Sequence, residues 1–293
     1  MVRRISYFVM VLVFVACERM DITGFFVSPG DNVDRRFSQS LEYTGDSPYA
    51  VVEASEEYVF YVCTDAHLDR TWDNLDAFVC AFRNDEDASF ALFLGDAVER
   101  KGMMEAFASA VEWNEVSQKY DYPLFAVPGN HDMFFSQWDD FRHHFRASVY
   151  YVEVKAGGDT DLFIALDSAS GTLGGKQMKW LRQLLETSRS GYRHCVVFTH
   201  TNMFYTDSSQ GLSGNMPLEE TLAMTELFDR YDVEVVFQGH AHCRQEILYR
   251  GCRYITVGAV EDASRSPEYL EVRMTPSGIG SYQFRSPLID PEL

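Results

Sequence analysis

The sequence predicts an α/β domain built on a mixed sheet or two stacked sheets. Six short apolar runs carry this reading: Tyr58–Cys63, Phe90–Leu94, Leu124–Val127, Leu162–Leu166, Cys195–Thr199 and Val233–Phe237. Each is of strand length, rich in β-branched or aromatic residues, and closed by a Gly, Asp, Pro or His. Helical patterns at Asn74–Arg83, Met103–Tyr120, Gln177–Ser188 and Leu218–Tyr231 lie between several of them, and such alternation argues for an α/β fold. Beyond His242 the pattern changes. Glu246–Tyr249, Arg253–Val257 and Tyr269–Met274 read as antiparallel strands, and Tyr150–Val154 with Asp161–Leu166 reads as a hairpin around Gly157-Gly158. Antiparallel pieces beside parallel ones exclude a purely parallel sheet.

Taken from the start, residues 1–16 read as a signal peptide. Arg3 and Arg4 form a basic n-region, and Ile5 to Ala16 is an uncharged, mostly apolar run. A spanning helix needs about 20 apolar residues, so this run fits a cleaved signal better than a membrane span. Phe14-Val15-Ala16-Cys17 resembles the lipobox of bacterial lipoproteins, which implies a lipid on Cys17 and a membrane anchor without a transmembrane helix. The expected location is the cell envelope, periplasmic or surface, or the outside of the cell. Residues 17–55, with Gly24, Pro29-Gly30, Gly45 and Pro48, read as a tether with one short extended piece at Asp21–Val27. The domain proper is read as residues 56–293. Pro217 stands at the first position of the last helix, where its missing N–H costs nothing.

Composition narrows the function. The 293 residues hold 25 Lys and Arg against 44 Asp and Glu, a net charge of −19. Duplex binding rests on basic residues that neutralise phosphates, so long nucleic acid is not an expected partner. After Cys17, the cysteines are Cys63, Cys80, Cys195, Cys243 and Cys252, an odd number that is no disulfide framework. Cys63 and Cys195 read as small core residues. A hairpin turning at Arg250-Gly251 places Cys243 opposite a residue well past Cys252, which argues against that pair.

The reactive residues collect at strand ends. Asp65 and His67 follow the first run, Gly95-Asp96 the second, and Gly129-Asn130-His131-Asp132 the third; His200 closes the fifth, and Gly239-His240-Ala241-His242 follows the sixth. Loops at the carboxyl ends of strands in an open α/β sheet converge on one crevice. A lone histidine is usually a satisfied surface or core group, but His67, His131, His200, His240 and His242 all fall in these segments. Asp, Asn and His donors suit borderline or hard dications such as Mn, Fe, Zn or Co. In Asp-x-His and His-x-His, alternate side chains of an extended segment reach the same side. Asp96 has two oxygens and a small neighbour, so it is the natural bridge between two ions.

The ordered set Asp-x-His, Gly-Asp, Gly-Asn-His-Asp, His and Gly-His-x-His resembles the calcineurin-like metallophosphoesterase family, above all its cyclic-nucleotide-phosphodiesterase-like branch, over about residues 58–260. The resemblance implies a four-layer α/β/β/α sandwich of two mixed sheets with a dinuclear metal site at the strand C-terminal ends. It implies one ion held by Asp65, His67, Asp96 and His242, and a second held by Asp96, Asn130, His200 and His240. It also implies that His131 faces the substrate phosphate and protonates the leaving oxygen, with Asp132 orienting His131 from behind. Purple acid phosphatases, a related branch, lack the first His and carry a Tyr ligand after Gly-Asp. Here His67 and Glu99 stand in those regions, against an iron–tyrosinate site.

The chemistry implied is in-line hydrolysis of a small or medium phosphate ester or diester by hydroxide held between the ions. A nuclease or phospholipid-type phosphodiesterase of the same chemistry, and a non-catalytic binding lipoprotein on the same fold, are the alternatives. Phe134, Phe135, Trp138 and Tyr205 could stack on a substrate base or simply pack, and Arg70, Arg100, Arg142 and Arg244 could meet phosphate or solvent. The Ser- and Gly-rich stretch Thr206–Met216 reads as a loop that gates the site. The oligomeric state is not readable from the sequence.

Overall fold

The computed structural model describes residues 32–112, 123–205 and 211–287. In chain order the elements are α1 (Val33–Thr44), β1 (Ala50–Ala54), β2 (Tyr58–Cys63), α2 (Asp73–Asn84), β3 (Ala88–Phe93), α3 (Met104–Glu112) and β4 (Leu124–Ala126). A 3₁₀ turn (His131–Ser136) leads into α4 (Trp138–Phe145), β5 (Tyr150–Ala156), β6 (Asp159–Leu166), α5 (Gly174–Ser188) and β7 (Cys195–Thr199). The chain closes with α6 (Leu218–Arg230), β8 (Val235–Gln238), β9 (Gln245–Tyr249), β10 (Cys252–Thr256), β11 (Tyr269–Thr275) and β12 (Gly278–Arg285).

Two mixed sheets stack face to face. One has seven strands in the order β1-β5-β6-β7-β8-β10-β9, the other five in the order β12-β11-β2-β3-β4. Period-two alternation explains the central strands. On β2, Tyr58, Phe60 and Val62 point between the sheets, while Val59, Tyr61 and Cys63 point to the outer helices. The inter-sheet layer is aromatic at its centre: Phe60 stacks on Phe90 at 5.2 Å and meets Phe163 and Phe237 edge-on at 5.3 and 5.8 Å. Leu75, Phe78 and Phe82 of α2, Phe107 and Val111 of α3, and Trp138 and Phe141 of α4 cover the five-stranded sheet. Leu181 and Leu185 of α5 and Met224 and Phe228 of α6 cover the seven-stranded one. Four layers result, as the family resemblance implies.

The turns agree with the register. Arg250-Gly251 joins β9 to β10, with Tyr249 opposite Cys252. The five cysteines of the described residues are free, with Cys63 and Cys195 buried. No helix among the described residues is long and apolar enough to cross a membrane. The expected signal segment, Cys17, the expected Asp21–Val27 piece and residues 206–210 of the stretch expected to gate the site lie outside the described residues, as does the helix expected beyond Glu112.

The tether reading needs correction from Asn32 onward. The Asn32 side chain caps α1 by accepting from the Arg35 amide at 3.0 Å. The helix then buries Val33, Arg36, Phe37 and Ser40. Arg36 forms a fork with Asp167 at 2.7 and 2.8 Å, both side chains fully buried. Strand β1 pairs in parallel with β5, Ala50 opposite Val152. The partners of this segment lie about a hundred residues downstream, so its polar sequence gave no local sign of burial. Strand β12 is a second addition, antiparallel to β11 at the sheet edge.

The strands that matter for chemistry run together. Strands β2, β3 and β4 are mutually parallel, as are β7 and β8. Their carboxyl ends deliver residues 64–67, 94–96, 128–132, 200 and 239–242 to one edge of the stacked sheets.

Candidate metal centre

The local backbone is built for convergence. Asp65, His67, Asp96, His240 and His242 all have positive φ, between 42 and 69°. Left-handed conformations cost non-glycine residues energy, persist only where surrounding structure enforces them, and cluster at functional sites. Close approach is the other device. A Cβ on Gly129 would strike the Asp96 side chain and backbone, and one on Gly239 would strike Thr64 and Asp65.

The structure brings all seven sequence-predicted ligands together. One group is Asp65, His67 and His242, a second is Asp96, His200 and His240, and a third joins His67 to Glu99 and His131. Asn130 joins the second group, its Oδ1 3.0 Å from His200 Nε2. One oxygen of Asp96 faces the first two groups: Oδ2 lies 3.3 Å from His200 Nε2 and 3.7 Å from His67 Nε2. Its other oxygen accepts from the His131 amide at 2.8 Å. Asp65 is fixed on one side only. Its Oδ2 accepts from the His240 amide and the Thr64 hydroxyl, whereas its buried Oδ1 has no hydrogen-bond partner. That orphaned oxygen faces His242 Nε2 at 3.2 Å and His67 Nε2 at 3.7 Å.

The donor set fits cations. His67 Nε2 and His242 Nε2 face each other at 3.1 Å, and His200 Nε2 faces His240 Nδ1 at 3.2 Å. His200 Nδ1 is directed at the Leu94 carbonyl at 2.9 Å, so this nitrogen carries the hydrogen and Nε2 is left facing Asn130 and Asp96. Acceptors face acceptors at such distances only with a shared proton or a cation between them. Electrostatics agree. Burial raises Asp65, but the His242 and His67 imidazoles outweigh it and hold the carboxyl well below the usual range. Burial likewise raises Asp96, yet His200 holds it down at about 2. Burial lowers His67 and His200, but the carboxylates raise them to about 10 and about 9. A field that holds protons on imidazoles this firmly also attracts dications, which displace them.

Two acids complete the site, and sequence reasoning assigned neither a role in it. Glu99 Oε2 lies 3.0 Å from Nδ1 of His67 and 3.0 Å from Nδ1 of His131. Glu261 Oε1 lies 3.1 Å from Nδ1 of His242. The role expected of Asp132 is corrected accordingly. Its buried carboxylate accepts from the amides of Ala97, Val98 and Gly129 at 2.9, 3.3 and 2.8 Å, so it clamps two ligand loops together. Burial and the nearby Asp96 carboxylate push Asp132 up to about 7. The acid that faces His131 is Glu99. A signal was present, since Glu99 stands three residues past Asp96 on the same loop.

Of the aromatic candidates, Phe134 packs on the His131 ring at 4.6 Å. Trp138 is removed from the site: it is fully buried in the core, its indole N–H donating to Gln39 Oε1 at 2.6 Å. Arg244 pairs with Glu246 at 2.9 Å and lies over the Phe284 ring, and Arg100 pairs with Asp69. His143 and His144 meet edge to face in α4, and His194 pairs with Glu234.

The family model for calcineurin-like phosphoesterases matches residues 58–244. The chain belongs to the calcineurin-like phosphoesterase family. Among solved structures it is similar to GAP50, the anchor in the inner membrane complex of Plasmodium, at 14% identity and a TM-score of 0.60, covering 79% of this chain and 85% of that one. It is also similar to a purple acid phosphatase from yellow lupin (Lupinus luteus) seeds, at 12% identity and a TM-score of 0.56 over 79% of this chain. This chain spans about half of that enzyme, 54% of its length. A third similarity is to PhoD, at 9% identity and a TM-score of 0.57, covering 82% of this chain and 70% of that one. At these identities the likeness is one of fold. No curated protein matches the chain.

Proposed function

We propose that this protein is a metal-dependent phosphoric ester hydrolase acting on a small or medium phosphate ester or diester. One observation carries the reading: Asp65, His67 and His242 converge beside Asp96, Asn130, His200 and His240, with Asp96 Oδ2 facing both groups. These seven residues would hold two divalent ions. Such a pair supplies, when bound, a nucleophile from water at neutral pH and offsets the negative charge of the phosphoryl group.

The chain's own residues do the rest. Asp65 and Asp96, buried at the strand ends, would set where the ions sit and so where the phosphoryl group is received. His131, on the rim, holds a proton for the departing oxygen. Glu99 Oε2, 3.0 Å from its Nδ1 but outside hydrogen-bond alignment, acts on the ring by its charge. Phe134 against the ring limits its other positions. His67, in the place where purple acid phosphatases lack a histidine, supports the cyclic-nucleotide-phosphodiesterase-like branch and a diester substrate. The basic and apolar N-terminal run ending at Cys17 supports work outside the cytoplasm from a lipid anchor.

The test is hydrolysis of bis(p-nitrophenyl) phosphate and p-nitrophenyl phosphate by metal-free protein, before and after Mn²⁺ is added. Activity with Mn²⁺ on the diester in excess of the monoester is expected. Absence of turnover with every divalent metal tried would point instead to a binding protein on this fold.

A further inference from the structure

The two halves of the centre are held from behind by different means. His200 is fully buried, and a backbone carbonyl, Leu94 O, fixes its outer nitrogen. The His242 side chain is 39% exposed, so packing does little to fix it. What stands behind it is Glu261. The Glu261 carboxylate lies 3.1 Å from His242 Nδ1, and the Glu261 amide donates to the Asp65 carbonyl at 3.0 Å. A single residue thus grips one ligand loop by its backbone and the facing imidazole by its side chain. A carboxylate accepts only, so His242 Nδ1 carries the hydrogen and Nε2 turns a lone pair toward Asp65 Oδ1.

Glu261 is itself well anchored. Its neighbour Val260 donates to the Thr64 carbonyl at 3.0 Å, and its own carbonyl accepts from Asn74 Nδ2 at 3.1 Å. Asp262 accepts from the amides of Asp73 and Asn74 at the start of α2. The residue lies beyond the 58–244 stretch that the family model covers, so the comparison assigns it nothing.

We propose that Glu261 is a positioning residue that ties His242 to the loop of Asp65, and that the Asp65 half of the centre takes up its ion tightly only with Glu261 in place. The inference rests on metal binding by these seven ligands, as proposed above. The Asp96 half, supported by Leu94 and Asn130, does not depend on it.

The test is a Mn²⁺ titration of metal-free wild-type protein and Glu261→Gln, with uptake followed by calorimetry and the ion pair by low-temperature electron paramagnetic resonance. Glutamine keeps the size and removes the charge. The wild type is expected to take up two ions and show the multiline spectrum of a coupled pair. Glu261→Gln is expected to bind one ion at unchanged affinity and the other about 10–100-fold more weakly, with the spectrum of an isolated ion until the second site fills. Two ions at unchanged affinity in the variant would overturn this inference alone. An equal loss at both sites together with a lower Tm would overturn it in favour of a packing role. No uptake by the wild type would overturn the metal reading as well.

Discussion

Glu99 Oε2 lies 3.0 Å from Nδ1 of His131. It is equally close to Nδ1 of His67, so one carboxylate faces both a predicted ligand and the residue expected at the leaving group. The His131 backbone is fixed separately, by its amide on Asp96. Replacing the His131 ring should therefore leave the centre intact. His131→Ala is expected to keep both ions and lose about 10²-fold or more in kcat, as read from metal analysis and steady-state kinetics on the same sample. Unchanged turnover would reject the role.

Glu99 acts on the reaction through that ring, so the two effects should not add. Glu99→Gln is expected to lower kcat in the wild type and to change it little in His131→Ala. Full additivity of the two losses would mean that Glu99 acts by another route, such as through His67. A double-mutant cycle on kcat, with metal occupancy measured alongside, separates the cases.

Asp132 is a different kind of acid despite sitting next to His131. Consecutive residues of a tight turn point in different directions, and this one points inward to three amides. Asp132→Ala would leave those donors buried without an acceptor, at roughly 1–3 kcal/mol for each well-made bond. A loss of about 3 kcal/mol in unfolding free energy is expected in urea denaturation, with metal uptake impaired because the loops of Asp96 and Asn130 separate.

Much of this was legible before any coordinates. The strands were visible because central strands bury both faces and read as unbroken apolar runs, as in Tyr58–Cys63 and Cys195–Thr199. The ligands were visible because strand ends in such a sheet share one edge. What the sequence concealed depends on distant partners. On α1, two of the four buried residues are Arg36 and Ser40, which no apolar pattern reveals. Strand β12 is an edge strand with four of its eight residues exposed and with Gly278 and Gly280 in place of β-formers. Glu261 reaches His242 from a loop that no spacing rule connects to the Gly-His-x-His motif.

The buried fork between Arg36 and Asp167 makes the N-terminal helix part of the domain. Asp167 follows β6, and its neighbour Ser168 accepts from the Thr199 hydroxyl and the Thr201 amide on either side of His200. Removing one member of a buried ion pair strands the other charge and costs about 3–5 kcal/mol. Arg36→Met should lose that much stability in denaturant titration, and a chain beginning at residue 56 should be less stable still. Retention of full stability by either would return this segment to the status of a tether.

His194 offers a pH test away from the centre. Its Nδ1 lies 2.7 Å from Glu234 Oε1, and its Nε2 lies 3.1 Å from the Thr275 carbonyl, so it clasps the seven-stranded sheet to β11 of the other. The Glu234 contact raises the imidazole above its usual value; partial burial and the Arg193 charge oppose this, and Asp161 adds to it. A histidine raised on folding stabilises fully below its unfolded pKa of about 6.5 and loses that contribution as pH rises through the folded value. The stability gap between wild type and His194→Gln should therefore be widest near pH 5.5 and narrow toward pH 9, in denaturant titrations run at both. A gap that stays constant or widens with pH would mean that the ring is neutral in the folded protein and holds the sheets by packing alone.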